Sequence, residues 1–142
     1  MDDIMKAFVL TLRVLSLAFI AVSALHLFVG MQADAMLGAP VSSAMAADPS
    51  LDSQNRFYGI TFSLLGVVLL TSATDLRRYG TMVVAVLGVL FTAGLARLVA
   101  WAIHGAPAPM IVGIVCADLL IPPLLYSWLK RSLREAATPS GR

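Results

Sequence analysis

Four ionisable side chains lie within or beside the long apolar runs of this sequence: His26, Arg56, Arg97 and Asp118. Arginine donates hydrogen bonds in a planar fork, aspartate accepts them, and the two nitrogens of an imidazole can do either. Such groups are costly in an apolar environment unless they pair with one another or serve a function. Their presence therefore predicts either structural ion pairs between helices or a site for a polar ligand.

Arg97 and Asp118 are the strongest candidates for a direct contact. The third and fourth apolar runs are joined by the turn of residues 104–109. At ~1.5 Å of rise per helical residue, Arg97 lies about 9 Å along the third run from this turn, and Asp118 lies about 12 Å along the fourth. Neighbouring helices with opposite charges at similar depth predict an ion pair. Pro122 removes the N–H group that would otherwise bind the Asp118 carbonyl, so this residue offers a second acceptor, for Arg97 or for a cation or proton.

With His26 and Arg56 included, the four ionisable residues can be interpreted in two ways. His26, about 5 Å from the end of its run, and Arg56, at the start of the next run, are expected on the same side as Arg97 and Asp118. One interpretation is a pocket for a ligand, with Tyr58 in its wall. The alternative is a structural clamp, in which one ion pair fixes helix rotation, Arg56 and Tyr58 lie at the membrane interface, and His26 binds a single carbonyl.

The composition indicates the environment in which these residues must function. Of the 142 residues, 59% are hydrophobic and 13% are charged, whereas soluble domains are about half apolar and about a quarter charged. The single cysteine, Cys116, excludes an intrachain disulfide and a cysteine-based zinc site. The chain is therefore expected to be an integral membrane protein of one domain, residues 1–142.

Four apolar runs predict the elements that carry the ionisable residues. An all-α, integral membrane four-helix bundle is expected, with an outer loop over residues 31–56 and a tail over residues 130–142. Asp2 and Asp3 favour a retained first helix over a signal peptide, whose start would be basic. Small residues repeat on the third helix (Gly88, Thr92, Ala96, Ala100) and on the fourth (Gly113, Ala117), which predicts close packing between these two helices. The predicted helices cover residues 7–30, 57–74, 80–103 and 110–129.

The positions of lysine and arginine predict the orientation. Only Arg56 flanks the ends of the runs on the side of the long acidic loop. Because basic residues are enriched on the cytoplasmic side, both termini are expected in the cytoplasm of a bacterial inner membrane. The basic residues on the side of the termini are Lys6, Arg13, Arg77, Arg78, Lys130, Arg131, Arg134 and Arg142.

Motifs for enzymatic chemistry and for nucleic-acid binding do not occur in the sequence. No zinc-binding helix motif, phosphate-binding loop, nucleophile elbow or dinucleotide fingerprint is present. We therefore expect no metal, no cofactor, no catalytic residue and no nucleic-acid partner, and an enzyme is the least favoured class.

Two short motifs resemble a known family. Arg56-Phe57-Tyr58-Gly59 after the long loop, and Gly94-Leu95-Ala96-Arg97-Leu98 late in the third run, are similar to a bacterial membrane family known as domain of unknown function 4345. Many members have a second glycine after Tyr-Gly, where Ile60 stands here. The resemblance covers nearly the whole chain and implies a four-helix bundle in which Arg56 and Arg97 matter, but it implies no activity.

Three functions are compatible with these features. The leading hypothesis is a non-enzymatic protein that binds a small amphipathic or anionic ligand, or a partner protein, through the cluster of His26, Arg56, Tyr58, Arg97 and Asp118. One alternative is a small transporter that works as a homodimer, since four helices are few to enclose a pathway. Another is an accessory subunit of a membrane complex.

Overall fold

A computed structural model describes residues 3–137, and every regular element in that range is an α-helix. Four of the helices have 24 to 29 residues, and two have five. In chain order they are α1 (Asp3–Val29), α2 (Gln32–Met36), α3 (Ser43–Ala47), α4 (Pro49–Ser72), α5 (Leu76–His104) and α6 (Pro109–Ala137). The all-α prediction is confirmed.

Three helices are long and apolar enough to cross a membrane: α1, α5 and residues Pro109–Glu135 of α6. This confirms the general prediction of a membrane protein. The predicted fourth span, residues 57–74, falls largely in α4, which is not among the three. The reason is visible in its sequence, because the first turns of α4, residues 49–56, are mostly polar.

The helix bounds differ from those predicted mainly in the expected outer loop. The segment 31–56 contains α2, α3 and the start of α4 rather than irregular chain. Helix α4 begins early because Pro49 occupies its first turn and the Asp48 carboxylate accepts hydrogen bonds from Ser50 N at 2.8 Å and Leu51 N at 3.0 Å. Helix α6 likewise continues past residue 129 to Ala137, and the rest of the expected tail lies outside the described residues.

The four long helices are antiparallel to their neighbours. Ser16 of α1 contacts Gly66 of α4, while His26 faces Gly59, so the two helices run in opposite directions. Gly80 and Gly94 of α5 face Leu133 and Asp118 of α6 in the same reversed order. We call the end at which α1 begins and α6 ends the termini end, and the opposite end the loop end.

Helices α1 and α4 approach closely along a face of glycine residues. A Cβ atom on Gly66 would lie 2.8 Å from the Ser16 carbonyl oxygen, and one on Gly59 would lie 2.6 Å from His26 Cγ. The Ser16 hydroxyl donates a hydrogen bond of 2.7 Å to the Gly66 carbonyl. Small residues and interhelical hydrogen bonds are the usual means of holding membrane helices together.

The tightest packing is at the termini end. Phe8 and Leu12 of α1 are fully buried against Leu69 of α4, Val83 of α5 and Leu129 of α6. The Phe8 ring meets the Trp128 ring edge to face, with centroids 5.3 Å apart. All four long helices are therefore anchored at this end, whereas the space between them toward the loop end is less completely filled.

Candidate functional site

His26 lies at the loop end of α1 and is almost completely buried, with 4% of its surface exposed. Its Nδ1 atom donates to the Val22 carbonyl oxygen at 2.8 Å, because a carbonyl can only accept. The Nε2 atom lies 3.5 Å from Asp34 Oδ1, at α2. Asp34 also accepts a hydrogen bond from Asn55 of α4. His26 thus connects α1 to α2 and, through Asp34, to α4.

Arg56 belongs to the same region and closes the corner between α1 and α4. Its Nε donates to Asp52 Oδ2 at 2.7 Å, and its Nη1 donates to the Leu27 carbonyl. Asp52 Oδ1 accepts from Met31 N at 3.0 Å. The turn at Gly30 has φ +57°, and a Cβ atom there would lie 2.8 Å from Arg56 Nη2, so only glycine fits without displacing the guanidinium.

Electrostatics favour the charged form of Asp52. The hydrogen bond from the Arg56 guanidinium, followed by that from Met31 N, lowers the pKa of the Asp52 carboxyl below its ordinary value of 3.8. We name His26, Asp34, Asp52, Asn55 and Arg56 the corner cluster. Its hydrogen bonds fasten the loop segment to the bundle, while Asn55 Oδ1 is buried without a hydrogen-bond partner among the described residues.

Arg97 and Asp118 form a separate pair between α5 and α6. Arg97 Nε lies 3.2 Å from Asp118 Oδ2, with 39% and 19% of the two side chains exposed. Gly94, one turn before Arg97, makes this approach possible, because a Cβ atom there would lie 3.0 Å from Asp118 Cβ and 2.9 Å from Leu119 Cδ2. Asp118 Oδ1 accepts no hydrogen bond from the residues that the structure describes.

An apolar cavity of about 230 Å³ lies between the four long helices, on the loop-end side of the core. Asp118 is the one charged residue in its lining as described. Pro122 also lines the cavity and leaves the Asp118 carbonyl without the N–H donor of an ordinary helical turn. The polar groups at this wall are therefore acceptors. The apolar lining includes Leu15 and Phe19 of α1, Leu69 of α4, Leu90 of α5 and Ala117 of α6.

The predicted site residues are thus distributed over two places rather than one. His26 and Arg56 belong to the corner cluster, Arg97 and Asp118 to the α5–α6 pair, and no hydrogen bond or ion pair between described residues joins the two. Of the five, Asp118 alone lines the cavity. Tyr58 is 63% exposed and its ring meets that of Phe57 at 5.6 Å.

The small residues of α5 and α6 do not form the contact that was predicted for them. A Cβ atom on Gly88 or on Gly113 would meet no described atom within 4 Å, and Thr92 and Ala96 are exposed. The prediction was wrong about which face of α5 meets α6. The close contact is made at Gly94 and not at Gly88. These small residues lie on a face of α5 that points out of the bundle and forms a shallow groove. The groove is lined by Ala85, Gly88, Val89, Thr92, Ala93 and Ala96.

Sequence reasoning missed the partners of His26 and Arg56. Asp52 was overlooked although it stands four positions before Arg56, a spacing that places both side chains on one helical face. Asp34 and Asn55 are distant in sequence and carried no such signal. Gly94 was quoted for the family resemblance but not recognised as a packing position.

Comparison with known proteins gave one match. The sequence model of the family described as "Domain of unknown function (DUF4345)" matches residues 7–129. The searches of curated proteins and of solved structures found no match.

Proposed function

Because the chain belongs to the family of domain of unknown function DUF4345, whose description names no activity, we propose a function from geometry: non-enzymatic binding of a small amphipathic molecule. The ligand occupies the cavity between the four long helices. Its apolar part lies among Leu15, Phe19 and Leu90, and its polar head lies at Asp118.

The observation that carries this proposal is an apolar cavity with acceptors at one wall. Ligand sites in proteins are typically apolar, with few polar groups that fix the orientation of the ligand. A dry cavity of about 150 Å³ already binds a molecule the size of benzene. The 230 Å³ available here supports a somewhat larger guest. Asp118 Oδ1 and the Asp118 carbonyl would accept hydrogen bonds from a hydroxyl or ammonium head.

This chemistry narrows the ligand class expected from the sequence. An anionic head would face the Asp118 carboxylate inside the cavity, whereas the Arg97 guanidinium is already engaged with the other oxygen of that carboxylate. Like charges at short range repel more strongly in apolar surroundings than in water. We therefore propose a neutral or cationic head rather than an anionic one.

The proposed setting is a bacterial inner membrane with both termini in the cytoplasm. Among the described residues, two arginines lie in the loop half: Arg56, near the start of the apolar part of α4, and Arg97, within α5. Seven lysines and arginines lie in the termini half, which by the positive-inside rule supports a cytoplasmic location for that half. They are Lys6, Arg13, Arg77, Arg78, Lys130, Arg131 and Arg134.

Thermal unfolding of the purified protein with three eight-carbon probes tests the proposal. Octylamine and octanol should raise the Tm, and octanoate should not, because only the first two donate to Asp118. Ala117→Phe fills the cavity and should abolish the shift. Val99→Phe, at a residue that is 59% exposed, adds the same ring outside the cavity and should leave the shift unchanged.

Two outcomes would contradict binding of the probes in the cavity. Equal shifts with all three probes, or an unchanged octylamine shift in Ala117→Phe, would show that the probes act through the detergent or the outer surface. The cavity would then have no binding role.

A second candidate function, as a dimer or as an accessory subunit, is supported by the outward face of α5. Its shallow groove of small residues is the kind of surface on which a second helix packs closely in a membrane. A homodimer would also suit the transporter alternative. Native mass spectrometry should then report two copies of the chain, or a co-purified protein, and Gly88→Leu should leave a lone chain.

A further inference from the structure

A second pocket, of about 260 Å³, opens at the termini end of the protein. It lies between the first half of α1 and the turn that joins α4 to α5. One wall is apolar, with Met5 and Val9 of α1, and the opposite wall carries the turn residues Thr74 and Asp75. It is distant from Asp118 and independent of the function proposed above.

Arg13 lines this pocket and is an anomaly in α1. The helix is one of the three that are long and apolar enough to span a membrane, yet the exposed Arg13 side chain makes no hydrogen bond or ion pair with the described residues. Charged residues within membrane spans are almost always paired with another group. The missing partner of Arg13 should therefore be sought outside the described chain.

Arg77 brings a second guanidinium to the same pocket from the first turn of α5. The neighbouring carboxylate, Asp75, is engaged with the backbone, since its Oδ1 accepts from Arg77 N at 3.0 Å and from Arg78 N at 3.1 Å. Among the described lining residues there are two guanidinium groups and one carboxylate, so the lining as described has a net positive charge. Arginine is well suited to phosphate, because its planar fork matches two phosphate oxygens at once.

We propose that this pocket binds the phosphodiester head of an anionic phospholipid. The phosphate oxygens accept from Arg13 and Arg77, and the start of the acyl chains lies against Met5 and Val9. A lipid is favoured over free phosphate because the cationic groups adjoin an apolar wall on a membrane-spanning helix. Basic pockets between membrane helices are a known way of holding anionic lipid heads.

Native mass spectrometry of the full chain with added lipid tests this site. With equal amounts of phosphatidylglycerol and phosphatidylcholine, the protein should retain the anionic lipid with about tenfold preference. Arg13→Gln should reduce that preference to about twofold or less. Lys6→Gln is the matched control, since Lys6 lies at the same end, pairs with Asp3 at 2.9 Å and does not line the pocket.

Three outcomes would overturn the proposal. Equal losses in Arg13→Gln and Lys6→Gln would indicate diffuse attraction to the basic end of the bundle rather than a site. An absence of preference in the unchanged protein would show that the pocket holds no anionic lipid head. Stabilisation by inorganic phosphate that depends on Arg13 and eliminates the lipid preference would assign the pocket to a free anion.

Discussion

At the scale of single residues, Asp118 has two roles in this account. One carboxylate oxygen pairs with Arg97 at 3.2 Å, and the residue also lines the cavity, where Pro122 leaves the Asp118 carbonyl without its helical N–H donor. The ion pair fixes the position of the carboxylate between α5 and α6, and its second oxygen is the proposed acceptor for the ligand head. The same residue thus links α5 to α6 and defines the polar end of the proposed ligand site.

A double-mutant cycle on Arg97 and Asp118 measures the first role. Replacing either residue by alanine leaves its partner's charge uncompensated, so each single variant should unfold at lower temperature. The double variant should lose less than the sum, with a coupling of roughly 1 kcal/mol. The exposed Arg131–Glu135 pair serves as a control and should couple by no more than about 0.5 kcal/mol. Additive losses at Arg97 and Asp118 would contradict a stabilising pair.

The corner cluster should make stability depend on pH in the acid range. The folded pKa of Asp52 lies below its ordinary value of 3.8, chiefly because of the hydrogen bond from Arg56. A lowered folded pKa stabilises the protein above the ordinary value, and this stabilisation is lost as the pH falls through the folded pKa. The Tm should therefore fall on acidification below about pH 4.

Asp52→Asn should remove part of this acid dependence and lower the Tm at neutral pH. Asp3→Asn is a suitable control, because Asp3 lies at the opposite end and its ion pair with Lys6 is exposed. If the Tm of Asp52→Asn and the Tm of the unchanged protein fall in the same way with acid, Asp52 does not contribute to the acid dependence of stability.

At the scale of elements, glycine positions determine how closely the helices approach. Gly59→Ala introduces a methyl group 2.6 Å from His26 Cγ and should destabilise the protein by about 1–3 kcal/mol. Gly88→Ala meets nothing within 4 Å and should be neutral or stabilising by up to about 1 kcal/mol. Thermal or denaturant unfolding of the two variants compares them directly. A milder effect at Gly59 than at Gly88 would contradict the α1–α4 packing described here.

The same glycines show what the sequence could and could not predict about the elements. The apolar runs predicted where α1, α5 and α6 lie, because chain length and hydropathy decide what can cross a membrane. Helix rotation was not predictable for α5, since Gly88 and Gly94 lie on different faces and either could meet α6. The early start of α4 was also missed, although Asp48-Pro49 is a recognisable start signal, because the polarity of residues 31–56 indicated a loop.

At the scale of the whole molecule, the two ends differ in charge and in packing. The termini end is basic and tightly packed around Phe8 and Leu12, whereas the corner cluster at the loop end contains two aspartates and one arginine. The cavity lies between these ends. This asymmetry could be anticipated from the sequence, because the basic residues are grouped, but the separation of the corner cluster from the Arg97–Asp118 pair could not.

The proposed orientation predicts which end is accessible from outside the cell. With Cys116 replaced by alanine, a cysteine introduced at Ser50 should react with an impermeant thiol reagent on intact cells. A cysteine introduced at Thr74, at the opposite end, should react only after the membrane is opened. Both positions are exposed in the protein, so burial does not bias the comparison. The reverse pattern of labelling would contradict cytoplasmic termini.

In the function proposed above, the cavity between the four long helices holds a small molecule with its head at Asp118. A density map of the protein purified from its native membrane tests this most directly. We expect elongated density among Leu15, Phe19 and Leu90, ending within hydrogen-bond distance of Asp118 Oδ1 or the Asp118 carbonyl. An empty cavity, or one closed by the surrounding side chains with Asp118 bonded only to Arg97, would contradict it.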